Sequence, residues 1–155
     1  MGKNRCLSLF FLLAGALALQ PGCGDGAYVD VTFPDGRVVR CELADSPKKL
    51  TEGMTNYENL APDRGMLFAY PTERRNVSFW MPGRMRFPLD MIFLDGEKRV
   101  VLIEANAQPG PSDLPEECES FGPGERGCQY VVEVVAGLSE EVGLEVGDRL
   151  EFELP

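Results

Sequence analysis

Residues Tyr28–Phe33, YVDVTF, alternate apolar and polar side chains, the two-residue period of a strand with one buried face. Pro34-Asp35-Gly36 supplies turn chemistry, and RVVRCELA over 37–44 reads as the returning strand of a hairpin. Further strands are predicted over GMLFAY (65–70), NVSFWM (76–81), MIFL (91–94), RVVLIEA (99–105), CQYVVEVVA (128–136) and 149–153, with Asp95-Gly96 marking a tight turn. Ser46-Pro47 signals a helix start, a hydroxyl cap followed by proline at the first helical position, and Gly53 and Asn56 end that helix early. A second helical turn is predicted at Leu138–Val142. Residues 106–127 are rich in proline and glycine and have no period, a long loop for so small a domain. Short strands punctuated by turns predict one mainly β domain over 28–155, an antiparallel sandwich or small closed barrel with one or two short helices.

The N-terminus changes this picture. Lys3 and Arg5 precede an apolar run, Cys6–Leu19, shorter than the about 20 residues a membrane-spanning helix needs. Charge, short apolar core and small residues in that order predict a signal peptide over 1–22. Gly22-Cys23 resembles a bacterial lipobox, which makes Cys23 the expected lipidation site and 23–27 a tether. The domain is then expected outside the cytoplasm, in the periplasm or beyond, with the lipid as its membrane contact.

Loss of two of the 15 basic residues with the signal takes the formal charge from −10 to −12. Such acidity disfavours nucleic acid and anionic headgroups as partners. The chain has no histidine, so a Ser-His-Asp or Cys-His centre is excluded and no metal or cofactor is implied. Cys118 and Cys128 flank a Gly/Pro-rich loop. A disulfide between them is expected, contributing about 3 kcal/mol in the chain-entropy picture, with Cys41 a buried thiol.

Six motifs occur in order: GMLFAYP (65–71), FWM (79–81), PLDMIFLDG (88–96), EANAQP (104–109), YVVEVVAG (130–137) and VGDRLEF (146–152). Together they resemble the prokaryotic family called domain of unknown function 192 (DUF192), from about Val39 to Phe152. The resemblance implies a jelly-roll-like β-sandwich and no established activity. The chain departs from the family pattern at Gly53-Met54-Thr55-Asn56-Tyr57, which lacks an arginine, and at Pro82-Gly83-Arg84, which replaces a polar trio.

The candidate cleft is drawn from Trp80, Met81, Arg84, Arg86, Asp90, Glu104 and Glu133. Trp80 and Phe79 face opposite sides of a strand, so one packs inward and the other is free for a pocket. Met81, Met85 and Met91 would give deformable walls. Pairing of 76–81 with 90–94 would bring Trp80 beside Asp90, with Arg84 or Arg86 neutralising the carboxylate. As an alternative, Asp90 accepts backbone N–H groups and holds a turn. Glu104 and Glu133 sit mid-strand, where alternation would put them on a solvent face. Asp95 and Asp148 read as turn formers, and the acidic run Asp113–Glu119 matches no calcium loop. The favoured function is a non-catalytic envelope module binding a small molecule, polysaccharide or protein. The alternative is a carboxylate-dependent hydrolase, which requires two carboxyls about 5–10 Å apart beside one cleft.

Overall fold

The structure is a computed structural model that describes residues 26–155; the expected signal segment 1–22 and Cys23 lie outside the described residues. β1 (Tyr28–Thr32) and β2 (Val38–Ala44) form the hairpin around Pro34-Asp35-Gly36. In α1 (Pro47–Glu52) the Ser46 hydroxyl accepts the N–H of Lys49 at 3.4 Å and proline fills the first turn. Glu42 of β2 anchors this helix: it accepts the Tyr57 hydroxyl and lies 3.2 Å from the Lys49 ammonium. The chain continues through β3 (Arg64–Arg74), β4 (Phe79–Trp80), β5 (Leu89–Leu94), β6 (Val100–Ala107), β7 (Ser120–Phe121), β8 (Cys128–Val135) and α2 (Leu138–Glu141).

Six strands form one sheet in the order β1-β2-β3-β8-β5-β6, and β4 pairs with β7 in a small second sheet. The fold is mainly β, as expected, but the large sheet is mixed: β2 and β3 run parallel, and its other pairs run antiparallel. A parallel pair needs a crossover, and the segment carrying α1 supplies it. Gly65 starts β3 where a Cβ would lie 2.6 Å from the Glu133 carbonyl oxygen and 2.9 Å from the Cys41 sulfur, so only glycine fits there without displacement.

The expected last strand, 149–153, is reduced to two isolated bridges, Thr32↔Glu151 and Arg99↔Arg149. These tie both edge strands, β1 and β6, to one short segment. The sheet therefore curls toward closure at one end without becoming a barrel, and its exposed edges are blunted.

Alternation along the central strands divides the interior into two cores. Leu67, Ile92, Leu94, Val132 and Val134 face a core completed by Phe33, Leu138, Leu150 and Phe152. Met66, Phe68, Met91, Phe93 and Val131 face the other way, against Met54, Val77, Met81, Met85 and Phe121. The second core is covered by α1, the segment 76–88 and the long loop 106–127. That loop contains β7 and a single 3-10 turn at Pro115–Glu117. It is stitched to the 76–84 segment by Asn76 N–H to Gly124 O at 2.7 Å, Gly110 N–H to Met81 O at 2.8 Å and Gly83 N–H to Ser112 O at 2.7 Å.

Two expectations are corrected here. The strand carrying Trp80 pairs with β7, not with 90–94: Phe79 opposes Phe121 and Trp80 opposes Ser120. The structure shows no Cys118–Cys128 disulfide, and among the described residues Cys41, Cys118 and Cys128 are free thiols. The physical reason is orientation. Cys128 is 0 % exposed within the second core, its thiol donating to Tyr130 O at 3.3 Å, whereas the Cys118 thiol donates to Ser112 O at 3.1 Å inside the loop.

Candidate functional site

Between α1 and the sheet lies a pocket of about 120 Å³. Its walls come from five places: the helix end at Leu50–Thr55, Phe68 and Tyr70 of β3, the run Ser78–Pro82 with Arg84 and Met85, Leu89 of β5, and Glu133 of β8. Four residues of the candidate cleft, Trp80, Met81, Arg84 and Glu133, meet here.

Glu133 is the chemically distinctive group. β8 runs between the two cores, Val132 and Val134 facing one and Val131 the other, so both its faces are covered and no solvent face exists for Glu133 to occupy. The residue is 5 % exposed, and its Oε2 is buried without a hydrogen-bond partner among the described residues. Burial alone pushes its carboxyl up from 4.5 to about 8. At neutral pH it is mainly the uncharged acid. Gly53, at a positive φ of 49°, lies beside the carboxyl: a Cβ there would stand 3.7 Å from Oε2, in ordinary contact.

The other walls are aromatic and soft. Phe79 packs edge-on against Phe68 at 4.9 Å and Phe93 at 5.8 Å, so it is the ring that joins the core. Trp80 is half-buried and lines the pocket, as do the thioethers of Met54, Met81 and Met85. Trp80→Ala should therefore cost clearly less than the about 3–5 kcal/mol of a fully buried aromatic. Urea denaturation checks this, and a loss within that range would place the indole in the core. At the mouth, Glu52 accepts the Asn56 side-chain amide at 2.9 Å, and Arg84 pairs with Asp113 at 3.4 Å.

Arg86, Asp90 and Glu104 lie elsewhere. Arg86 pairs with Glu58 at 2.7 Å on the surface. Asp90, 0 % exposed, points to the opposite side of β5 from Met91 and has no arginine partner among the described residues. Its Oδ1 accepts the N–H groups of Asn106 (2.8 Å) and Gly137 (3.1 Å), and its Oδ2 accepts the N–H of Ser139 (2.9 Å) and the Ser139 hydroxyl. It is the holder of a turn. Glu104 opposes Met91, which opposes Glu133 on its other side, so the two glutamates are two strands apart, on the order of 10 Å, with a buried methionine between them. The Glu104 carboxyl is raised by partial burial and by Glu119, and it does not line the pocket.

Sequence reasoning missed Glu52, Gly53, Met54 and Tyr70 as lining residues. The available signal for Glu133 was the unbroken run YVVEVV, since a strand that is apolar at consecutive positions is covered on both faces. Asp95 and Asp148 do form turns: Asp95 accepts the N–H of Glu97 and Arg99, and Asp148 that of Glu145.

Comparison with known proteins agrees with the ordered motifs. The model of the DUF192 family, described as "Uncharacterized ACR", matches residues 30–152. A Sinorhizobium meliloti 1021 protein described as a "putative transcription regulator" has a solved structure that is 31% identical, with a TM-score of 0.65, covering 81% of this chain and 92% of its own. A Novosphingobium aromaticivorans DSM 12444 protein of unknown function is 30% identical, also at a TM-score of 0.65, covering 89% of this chain and 94% of its own. No curated protein matches.

Proposed function

Because this chain belongs to the DUF192 family, in which the fold is shared and no activity is assigned, we propose a function from its pocket: it is a non-catalytic, envelope-anchored module that binds a small ligand. The observation that carries this reading is Glu133, a buried acid with an unpartnered oxygen in the wall of a pocket lined by aromatic and thioether groups. An unsatisfied buried carboxyl costs stability, and a ligand that pairs with it recovers that cost. Lys3, Arg5, the run Cys6–Leu19 and Gly22-Cys23 support export and a lipid on Cys23 as the membrane anchor.

A hydrolase built on Asp90, Glu104 or Glu133 is less well supported. Asp90 is on the far face, Met91 separates Glu104 from Glu133, and burial is the whole cause of the Glu133 shift, with no second carboxylate coupled to it. The description of the S. meliloti protein as a regulator is not carried over, because a chain of formal charge −10 is poorly suited to a phosphate backbone.

Native mass spectrometry of the membrane-extracted protein tests both halves. The chain should begin at Cys23 with added acyl mass, and it should capture a small adduct from envelope extract. Ser78→Trp, which sets an indole in the pocket wall from an exposed position, should abolish the adduct. An unacylated chain starting elsewhere refutes the anchor; an adduct that survives Ser78→Trp, or no adduct at all, refutes the pocket.

A further inference from the structure

We propose that this pocket selects a small organic cation, a primary alkylammonium seated against Glu133 among the rings of Phe68, Phe79 and Trp80. The inference rests on the pocket-binding reading above and adds the chemistry of the occupant.

Whatever fills the pocket meets Glu133 Oε2, which has no hydrogen-bond partner among the described residues. An alcohol could supply a hydrogen bond but no charge. A carboxylate ligand could accept the proton of neutral Glu133 but would be repelled once Glu133 ionises. An ammonium ion supplies donors and a charge together, and charge-assisted hydrogen bonds are about twice as strong as neutral ones. The remaining walls favour the same sign. Aromatic rings attract cations through their negative faces, and thioethers are polarisable; the Arg74 guanidinium already lies 4.7 Å from the Tyr70 centroid, so Phe68, Phe79 and Trp80 are the rings left to a ligand. The whole chain carries a formal charge of −10, which raises the local concentration of cations.

The charged and titratable groups around the pocket are Glu52 from α1, Tyr70 from β3, Arg84 from the segment after β4 and Glu133 from β8. Burial raises the Tyr70 hydroxyl, which stays neutral. Arg84 is the one cation among these lining residues, and it lies 3.4 Å from Asp113 at the rim. Size narrows the class further: a pocket of about 120 Å³ is comparable with the roughly 150 Å³ cavity that holds benzene, which is room for a short alkylammonium.

Trp80 is the only tryptophan in the sequence, so its fluorescence reports the pocket directly. The mature protein is titrated with n-butylammonium, n-butanol and n-butyrate, three probes of one chain length that differ in headgroup charge. Butylammonium should give a saturable change and bind at least about tenfold tighter than either other probe. Its affinity should rise from about pH 6 to about pH 8.5 as Glu133 is more readily ionised, and the butanol titration should not. Glu133→Gln should weaken butylammonium at least about tenfold and leave butanol within about threefold. The pH comparison on the unaltered protein decides the matter if that variant does not fold. Equal or tighter binding of butanol or butyrate overturns the cation inference and leaves the pocket reading standing. Silence of every probe also overturns it, and the adduct experiment then decides separately whether the pocket binds anything.

Discussion

Asp90→Ala should destabilise the fold by about 3–5 kcal/mol, the largest loss expected from any single carboxylate of this chain. The carboxylate accepts three backbone N–H groups and one hydroxyl from three places: Asn106 at the end of β6, Gly137 before α2, and Ser139 within it. Asn106 and Gly137 both hold left-handed backbone, at φ of 53° and 89°, so the donors converge only because the chain is bent on either side. Truncation leaves these groups buried and facing an apolar methyl. Asp90→Asn keeps the shape, but its amide N–H would face the Ser139 donors, and a loss of about 2–3 kcal/mol is expected. Urea denaturation measures both. Pocket binding should persist in the folded fraction of either variant, because Asp90 and Glu133 sit on opposite faces of the sheet. A melting curve that barely moves would refute the turn-holding role, and loss of binding from a fully folded variant would place Asp90 in the site.

What the sequence made legible was local. The β1–β2 hairpin is written in YVDVTF and Pro34-Asp35-Gly36, and α1 in Ser46-Pro47, because alternation and capping depend on residues within a few positions of one another. Motif order over most of the domain identified the family. What failed depends on partners distant in the chain. No periodicity distinguishes Ser120-Phe121 from the rest of its loop, yet this two-residue strand, not 90–94, pairs with Phe79-Trp80. The disulfide expectation followed from spacing, which is silent on whether the Cys128 side chain turns into the core. The arginines expected beside Asp90 are near in sequence, whereas its actual donors are contributed largely by α2 and its preceding glycine, after three intervening strands, β6, β7 and β8. The pocket is half legible: the 79–85 segment stands out by composition, and alternation alone gives Glu133 a solvent face that a strand with a core on each side does not have.

Glu133→Gln should flatten the pH dependence of stability between about pH 4.5 and about pH 8. In the unfolded chain the carboxyl loses its proton near 4.5; in the folded protein burial holds it until about 8. Between these values the native state binds more protons than the unfolded state. Stability from this group is therefore complete below 4.5 and falls as pH rises, by up to about 1.4 kcal/mol per pH unit, until it levels off above 8. Carboxylates held low act in the opposite sense: Glu141, hydrogen-bonded to Arg37, favours folding as pH rises. The difference between wild type and variant isolates Glu133 from that background. Urea titrations of both proteins across this range should show the wild type losing ground to Glu133→Gln with each unit of pH, and parallel curves would mean that the carboxyl is not shut from water. Glu133→Leu should be more stable than wild type at neutral pH, since an apolar side chain among Phe68, Met66 and Met91 removes the unpaired oxygen. If that variant also loses its ligand, the stability given up at Glu133 is the cost of keeping a binding group inside the core.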